Sequence, residues 1–289
     1  MNLSMQNSRE PDSDTLTAAM DLEKVLFVPT LTHSQMYYLR QLAVYNFCVH
    51  VGDTGQALMC VWDETISGRG SNEIGSCLLR VLLSKLTYKR HVLLWCDNCS
   101  GQNKNRMIVV ALLYLVATKR FDSVEIRFLV SGHSFMACDQ DFAIIEKRKR
   151  KVPAMVPADI KTLIQKSRLS APFTVIDMDV GDFYNLTIVA NQLLQTTKLN
   201  ISQATALKVT TDSLNKNSIL MKTTYWAAEE WRAVPIAKRK INFVVDIPTN
   251  LPKLVMGRSL DSSKKEDLRK MLEFLPLDCR DFYNNIINN

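Results

Sequence analysis

Hydrophobic and polar positions repeat with two different periods in the first half of the chain, so the sequence predicts both strands and helices. Five runs of β-branched, aliphatic or aromatic residues predict strands: Leu16–Pro29, Leu42–Val51, Ala57–Trp62, Val92–Cys96 and Val124–Val130. Three segments have helical spacing or are apolar over the length of a helix: Asn72–Leu86, Met107–Ala117 and Asp141–Lys151. The elements therefore follow one another in the order β-β-β-α-β-α-β-α.

This order predicts an α/β protein with a mixed sheet. The turn Gly52-Asp53-Thr54-Gly55 joins the second and third runs into a hairpin, so the first three strands form an antiparallel meander. Alternating helices and strands then add to the sheet, and the helices cover its faces. From Val152 onwards the segments are short and separated by prolines, which predicts a mainly helical and irregular extension packed on the core.

Composition and charge divide the chain into three parts. Its 289 residues are 47% hydrophobic and 22% charged, which excludes an intrinsically disordered chain. Residues 1–146 carry 13 basic and 15 acidic side chains, whereas residues 147–289 carry 23 and 14. We predict a disordered leader over residues 1–15, a folded domain over residues 16–151, and a basic extension over residues 152–289 that suits a polyanionic partner.

Cysteine usage and the apolar stretches bear on the cellular compartment. The seven cysteines are an odd number and lie within apolar runs, unlike the dense even set of a secreted disulfide framework. The first residues contain no apolar signal-peptide core, and the longest apolar stretch, Met107–Ala117, is about half the length that spans a bilayer. We therefore expect an intracellular protein, nuclear or cytoplasmic, without a membrane partner.

Four aspartates stand where an α/β sheet places its ligands, outside the carboxyl ends of its strands. Asp97 directly follows the strand Val92–Cys96, and Asp21 lies within the first predicted strand. Asp139 and Asp141 follow the last strand, at the entry to its helix. If the first and fourth strands are neighbours, these carboxylates converge. Converging carboxylates can hold two Mg²⁺ or Mn²⁺ ions about 3.5–4 Å apart, one activating an attacking oxygen and the other stabilising the departing one.

Four short motifs carry a resemblance to a known family. They are YNF at residues 45–47, GRGSNEIGSCL at residues 68–78, DNCSGQNKN at residues 97–105, and GHSF with DQDF between residues 132 and 142. In this order they resemble the motifs of an uncharacterised domain family of animal transposon-derived proteins. That family is presumed to have a ribonuclease-H-like core of the DDE transposase type. The resemblance covers roughly residues 16–150, and Leu268–Tyr283 shows a weaker similarity to the same family.

The resemblance implies a metal-dependent site built from the same aspartates. Asp21 would be the first acid, on strand 1, and Asp97 the second, after strand 4. The third would be Asp139 or Asp141, and His133 would lie close by. The implied cofactors are two Mg²⁺ or Mn²⁺ ions, and the implied partner is DNA.

Each of these residues also has a purely structural interpretation. Asp21 can be a surface residue of an edge strand, and Asp97 can form an Asx turn that caps the following helix. Either Asp139 or Asp141 can be a helix N-cap. His133 can hold a turn by hydrogen bonds. The sequence leaves these alternatives open.

Two basic segments and two tryptophans are candidates for contacts with nucleic acid. Lys104 and Arg106 lie between a strand and a helix, where backbone N–H groups can also receive a phosphate. Trp226 and Trp231 can stack on bases or belong to the core. A basic run closes the last predicted helix: Lys147, Arg148, Lys149 and Arg150. Both basic segments can equally be solvated helix ends.

Three functions are compatible with these observations. The leading one is metal-dependent cleavage or strand transfer of DNA by a transposase-like core. The second is 3′–5′ exonuclease activity on the same fold, because Asp21-Leu22-Glu23 forms a D-x-E pattern on the first strand and His133 precedes Asp139. The third is a transposon-derived module that binds DNA or a protein without catalysis, alone or as a homo-oligomer.

Overall fold

The part of the chain that the structure describes contains ten strands and ten α-helices. This computed structural model describes residues 1–10, 13–31, 33, 38–86, 88–130, 135–195, 197, 199–254 and 257–288, apart from the side chains of residues 2 and 3. The strands are β1 (Thr15–Leu22), β2 (Leu26–Val28), β3 (Leu42–Val51), β4 (Ala57–Asp63), β5 (His91–Cys96), β6 (Ser123–Phe128), β7 (Thr174–Asp177), β8 (Ala206–Thr210), β9 (Ser218–Lys222) and β10 (Arg232–Pro235). The helices are α1 (Asn2–Asn7), α2 (Ser71–Ser84), α3 (Arg106–Ala117), α4 (Ala137–Lys149), α5 (Pro157–Gln165), α6 (Leu186–Leu193), α7 (Thr211–Asn215), α8 (Phe243–Asp246), α9 (Ser262–Met271) and α10 (Leu277–Asn288). Within these described ranges, no helix has both the length and the apolar composition needed to cross a membrane.

All ten strands belong to one mixed sheet. Nine lie in the order β10-β9-β8-β6-β5-β1-β3-β4-β7, and β2 pairs with β3 beside this path. β3 is antiparallel to both β1 and β4, whereas β5 runs parallel to β1 and β6 parallel to β5. β8, β9 and β10 continue the sheet in antiparallel fashion beyond β6, and β7 lies parallel to β4 at the other edge. The predicted α/β class with a mixed sheet is confirmed.

Local signals fix the turns that position the middle of the sheet. β3 has the bounds of the predicted run, and the hairpin to β4 turns at Gly55, whose φ of +67° suits a residue without a side chain. Asn105 caps α3, because its side-chain oxygen accepts hydrogen bonds of 3.1 Å from the N–H groups of Met107 and Ile108. This cap ends the loop that follows β5 and thereby anchors the segment that begins with Asp97.

Helices cover the two faces of the sheet unequally. On the first face, α2, α3 and α6 form a large hydrophobic core with residues of every strand except β2. On the second face, α4, α5, α9 and α10 form a smaller core with residues of β1 to β4. Along β1, Ala18 and Met20 face the first core and Ala19 faces the second. Because successive strand side chains alternate between faces, Asp21 points towards the second face.

The helix α1 lies in the segment for which the sequence predicts a disordered leader. Met5 is buried in the second core, and Oγ of Ser4 accepts a hydrogen bond of 3.0 Å from Nε1 of Trp95. Met5 packs against Gly52, where an added Cβ would lie 2.4 Å from the Met5 sulfur. The burial of Met5 anchors this polar segment to the second core. Local composition does not predict such a contact.

Residues 152–289 are rich in helices, as predicted, but they also contain four strands of the same sheet. β7 joins the edge formed by β4, and β8 to β10 extend the edge formed by β6. One sheet therefore continues across the boundary predicted at residue 151. Each of these strands has only four or five residues, too few for a clear alternation, so their conformation is fixed by pairing with distant strands.

The helix α4 begins at Ala137, earlier than the start predicted at Asp141. Oδ2 of Asp139 accepts a hydrogen bond of 2.6 Å from the N–H of Met136 and so satisfies a backbone donor that precedes the helix. Asp139 and Asp141 consequently both lie within the helix. Residues two positions apart in an α-helix are separated by about 200° around its axis, so the two carboxyl groups point in different directions.

Candidate metal centre

Asp21 and Asp97 lie next to each other at the carboxyl ends of two parallel strands. β1 and β5 pair in parallel up to Ala19 opposite Trp95. Continuing this register by two residues on each strand brings Asp21 beside Asp97. Both side chains point to the second face, because Ala19 lies in the second core and Trp95 contacts Ser4 of α1 on that side.

The helix α4 brings a third carboxyl group to this place. It packs over β1, where Sγ of Cys138 lies 3.4 Å from the carbonyl oxygen of Ala19. Asp139 follows Cys138 in the first turn of the helix, and its charge acts on the carboxyl group of Asp21. β1, the loop after β5 and α4 therefore each contribute one aspartate to an acidic cluster formed by Asp21, Asp97 and Asp139.

Asp21 is the most strongly perturbed member of the acidic cluster. The pKa of Asp21 is raised to about 7, with burial as the largest cause and the negative charges of Asp97 and Asp139 acting in the same direction. A hydrogen bond of 2.8 Å from the N–H of Leu22 acts in the opposite direction. Near neutral pH the Asp21 carboxyl group therefore takes up a proton readily, and a cation bound nearby would displace it.

Each carboxyl group of the acidic cluster has one oxygen held by the protein. The donors are the N–H of Leu22 to Asp21 (2.8 Å), Nδ2 of Asn103 (2.6 Å) and the N–H of Cys99 (3.1 Å) to Asp97, and the N–H of Met136 (2.6 Å) to Asp139. In the described ranges, the other oxygen of each group receives no hydrogen bond, and no Lys, Arg or His forms an ion pair with any of the three. One oxygen of each carboxyl group is thus available to a ligand.

The donor set suits a hard divalent cation. Carboxylate oxygens are the ligands that Mg²⁺ and Mn²⁺ prefer, and an acidic cluster without a cationic partner favours their binding. Among the residues with described coordinates, no group of three or more His, Cys, Asp or Glu side chains lies close enough together to hold a metal ion. Asp21, Asp97 and Asp139 would therefore have to turn their unbonded oxygens towards a common point to coordinate one.

Asp141 belongs to a different network, on the β3 side of α4. It is buried, and its Oδ2 lies 2.6 Å from Nδ1 of His50. Its Oδ1 accepts a hydrogen bond of 3.3 Å from Nη1 of Arg168, whose guanidinium group stacks on the ring of Phe173. Of the two alternatives for the third acid, the helix phase directs Asp139 towards Asp21 and Asp141 towards these two basic side chains.

Glu23 directly follows β1, two residues after Asp21, and adds a second perturbed carboxyl group. It is buried, and its Oε2 accepts a hydrogen bond of 2.8 Å from Nδ2 of Asn46. The pKa of Glu23 is raised to about 8: burial is the largest cause and Glu146 acts in the same direction, whereas the hydrogen bond from Asn46 and the charge of Lys149 oppose the rise. Oε1 of Glu23 and Oδ1 of Asn46 have no hydrogen-bond partner. The sequence signals were the D-x-E pattern for Glu23 and the YNF motif for Asn46, whereas nothing in the sequence singled out Glu146.

In the loop after β5, Asn103 contacts Asp97 of the acidic cluster, whereas Lys104 contacts Asn98 and the ring of Phe128. Asn103 is buried and holds Asp97, and its own side-chain oxygen has no hydrogen-bond partner. Lys104 is also buried: its Nζ donates to Oδ1 of Asn98 at 2.7 Å and lies 5.1 Å from the centre of the Phe128 ring. Burial lowers the pKa of Lys104. Lys104 thus packs inside the loop, while Arg106 is exposed at the start of α3.

The remaining predicted residues lie in separate places. His133 falls in residues 131–134, outside the described residues. The basic run occupies the end of α4, where Lys147 and Arg150 are exposed and Arg148 and Lys149 are half-buried. Trp226 is 78% exposed, so its interpretation as a core residue is not supported.

Three comparisons place the chain among known sequences. No curated protein and no solved structure matches it. A family model matches residues 41–228, which include Asp97 and Asp139 but not Asp21. Because this match covers more than half of the chain, the protein belongs to the family described as a domain of unknown function, DUF7869.

Proposed function

We propose that the protein is a divalent-metal-dependent enzyme that cleaves or transfers DNA phosphodiester bonds. One observation carries the proposal: Asp21 and Asp97 lie side by side on the same face of the sheet, and the Asp139 carboxyl group of α4 acts on Asp21 from above. Three carboxyl groups from three separate elements, with no cationic partner in the described ranges, supply the ligand type that Mg²⁺ or Mn²⁺ prefers, once their unbonded oxygens turn towards a common point.

The strand arrangement supports a ribonuclease-H-like core as part of this proposal. The family that the sequence resembles is expected to have three antiparallel strands followed by alternating helices and strands. β1, β3 and β4 correspond to the antiparallel group, and β5 and β6 follow as parallel strands. Asp21 then stands on the first strand of that core, Asp97 after the fourth, and Asp139 on the helix that follows the fifth.

The chain's own residues would hold and tune such a site. Asp97 is oriented by Asn103 and by the N–H of Cys99, so its unbonded oxygen has a defined direction. Asp21 must lose its proton before it binds a cation, which couples metal affinity to pH near 7. Two bound Mg²⁺ or Mn²⁺ ions would supply activation of the attacking oxygen and stabilisation of the departing one.

A cleavage assay with matched variants tests the proposal. The full chain is incubated with plasmid and linear DNA in Mg²⁺, in Mn²⁺ and in EDTA. Asp97→Asn removes one charge but keeps a side-chain oxygen for Asn103, so we expect at least about a hundredfold loss of cleavage with the fold intact. Asp177→Asn, at an exposed ion pair with Lys161, is the control and should cleave normally. Equal cleavage by Asp97→Asn and the unchanged protein would reject the proposal.

The 3′–5′ exonuclease alternative has one specific observation in its favour. Glu23 lies two residues after Asp21, and its hydrogen bond from Asn46 of β3 places it, like Asp21, on the second face of the sheet. End-labelled single strands and closed circular DNA distinguish the two functions. Release of terminal nucleotides without any attack on circles would favour the exonuclease, whereas nicking of circles would favour the transposase-like activity.

A further inference from the structure

The half of the second face formed by β5, β6, β8, β9 and β10 lies outside the second core, and α1 contacts it through the hydrogen bond from Trp95 to Ser4. The second core contains no residue of β5, β6, β8, β9 or β10. In these strands every other residue, such as Leu94 and Ile126, faces the first core, so the residues between them point outwards. We call this surface the open sheet face and define it by six residues: Trp95, Glu125, Arg127, Lys208, Lys222 and Trp231.

Cations and aromatic rings are paired on the open sheet face. The guanidinium carbon of Arg127 lies 5.3 Å from the centre of the Trp95 ring. The Nζ atoms of Lys208 and Lys222 lie 5.7 Å and 5.1 Å from the Trp231 ring. Contacts of this kind hold long basic side chains close to a ring surface. They therefore hold the three cationic groups at the surface of the sheet, where phosphates can reach them.

One acidic side chain organises two of these cations without cancelling the positive charge. Oε1 of Glu125 lies 2.5 Å from Nε of Arg127, and its Oε2 lies 3.6 Å from Nζ of Lys208. Lys222 forms no ion pair within the described ranges, and its Nζ donates to a backbone oxygen. The six residues of the open sheet face thus carry three positive charges and one negative charge, which favours a polyanionic ligand.

Further aromatic side chains line the rim of the open sheet face. Tyr225 and Trp226 lie in the segment that follows β9 and are 56% and 78% exposed. Together with Trp95, Arg127 and Lys222 they line a depression of about 190 Å³. An exposed tryptophan beside basic residues is typical of surfaces on which unpaired bases stack.

The open sheet face is continuous with the acidic cluster. Trp95 and Asp97 are two residues apart and point to the same side of the sheet. A nucleic-acid strand that contacts Trp95 and Arg127 would therefore also lie close to Asp97 and Asp21. Duplex DNA hides its base faces, so stacking on the exposed rings at the rim requires unpaired nucleotides.

The geometry points to single-stranded nucleic acid as the ligand of the open sheet face, an inference that rests on the proposed function for the reaction at the adjoining acidic cluster. Bases stack on the exposed rings of Tyr225 and Trp226. Phosphates contact Arg127, Lys208 and Lys222. The sugar-phosphate backbone of the bound nucleic acid then extends to the acidic cluster.

Binding of labelled oligonucleotides to the full chain in EDTA tests this inference, because EDTA prevents metal-dependent cleavage. The probes are oligo-dU, oligo-rU and a DNA duplex of equal length, measured by fluorescence anisotropy over a range of salt concentrations. We expect both single strands to bind more tightly than the duplex, and a preference between dU and rU identifies the preferred sugar. Trp226→Ala should weaken binding about tenfold, and Leu169→Ala, at another exposed apolar residue, should not.

The salt dependence gives a second and independent measurement. Lys222→Ala should lower the slope of log affinity against log salt by about 0.7, the value for one phosphate contact on a single strand. Lys161→Ala, on α5, is the control and should leave the slope unchanged. Unchanged binding by both Trp226→Ala and Lys222→Ala, or tighter binding of the duplex, would overturn the inference.

The same variants separate this inference from the proposed function. Single-strand binding that responds to Trp226→Ala and Lys222→Ala, combined with no cleavage in Mg²⁺ or Mn²⁺, supports the open sheet face and rejects the nuclease. Cleavage that neither variant changes, combined with unaltered binding, supports the nuclease and rejects the open sheet face.

Discussion

Nδ1 of His50 lies 2.6 Å from Oδ2 of Asp141, at a position where the carboxyl group is almost completely buried. The two side chains share one short hydrogen bond, whose donor is set by the tautomer of His50. Arg168 completes the surroundings of Asp141 from the segment before β7. The network ties β3 and the chain after α5 to the first half of α4, and so it also fixes the rotation of the helix that presents Asp139.

We predict that Asp141→Ala destabilises the fold substantially. The substitution leaves His50 and Arg168 without their buried partner, which costs about 3 kcal/mol in the free energy of unfolding. Urea unfolding followed by circular dichroism measures this cost. Asp177→Ala breaks the exposed pair with Lys161 and should change stability by less than about 1 kcal/mol. A change of that small size for Asp141→Ala would show that the buried network contributes little.

We predict that Asp139→Asn and Asp141→Asn have opposite consequences for function and stability. The amide oxygen of asparagine can still accept the hydrogen bond from Met136, so Asp139→Asn should keep the fold while lowering metal-dependent cleavage at least about a hundredfold. Asp141→Asn should lower the stability and retain cleavage at temperatures where the protein is folded. Cleavage assays and urea unfolding on both variants test which aspartate is the third acid. Loss of cleavage in Asp141→Asn alone would assign that role to Asp141.

The long central strands could be predicted from sequence because the information is local. β3 and the hairpin to β4 are specified by continuous β-branched and aromatic residues and by a glycine turn. The convergence of Asp21 and Asp97 was predictable only on the condition that the first and fourth strands are neighbours. That condition is met by β1 and β5.

The choice between Asp139 and Asp141 could not be made from sequence because it depends on the phase of a helix. A helix that begins at Asp141 would leave Asp139 outside it, whereas α4 begins at Ala137 and includes both residues. Which of the two carboxyl groups faces β1 depends on this difference. The open sheet face was missed for a related reason. Arg127, Lys208 and Lys222 belong to three strands, and only the pairing of β6, β8 and β9 brings them together.

We predict that the stability of the metal-free protein falls as pH rises, with Glu23 as one cause. The pKa of Glu23 is raised from 4.5 to about 8, so the folded state keeps a proton that the unfolded chain has already released. Between these two values stability decreases with rising pH, and above about pH 8 the loss is complete. Glu23→Gln keeps the contact with Asn46 and removes the ionisation. We expect it to gain roughly 1–4 kcal/mol over the unchanged protein at high pH and little near pH 4.

Urea unfolding at a series of pH values in EDTA checks this dependence. Glu229 provides the control, because hydrogen bonds from the backbone N–H groups of Thr223 and Thr224 lower its pKa to about 2 and it is ionised throughout the same range. Glu229→Gln should therefore leave the slope between pH 5 and about pH 8 unchanged. A Glu23→Gln protein with the same slope as the unchanged protein would remove Glu23 as the cause.

We predict that Mg²⁺ and Mn²⁺ stabilise the protein more above pH 7 than below it, through Asp21. With its pKa raised to about 7, Asp21 is largely ionised at about pH 8, where a cation relieves its repulsion with Asp97 and Asp139. At about pH 6 the same cation must first displace a proton, so it binds more weakly. Saturating metal should raise Tm by at least about 2 °C at the higher pH and by clearly less at the lower pH. Asp21→Asn should abolish the difference between the two pH values, whereas Asp177→Asn should preserve it. An equal shift in Asp21→Asn and in the unchanged protein would mean that the metal binds elsewhere on the chain.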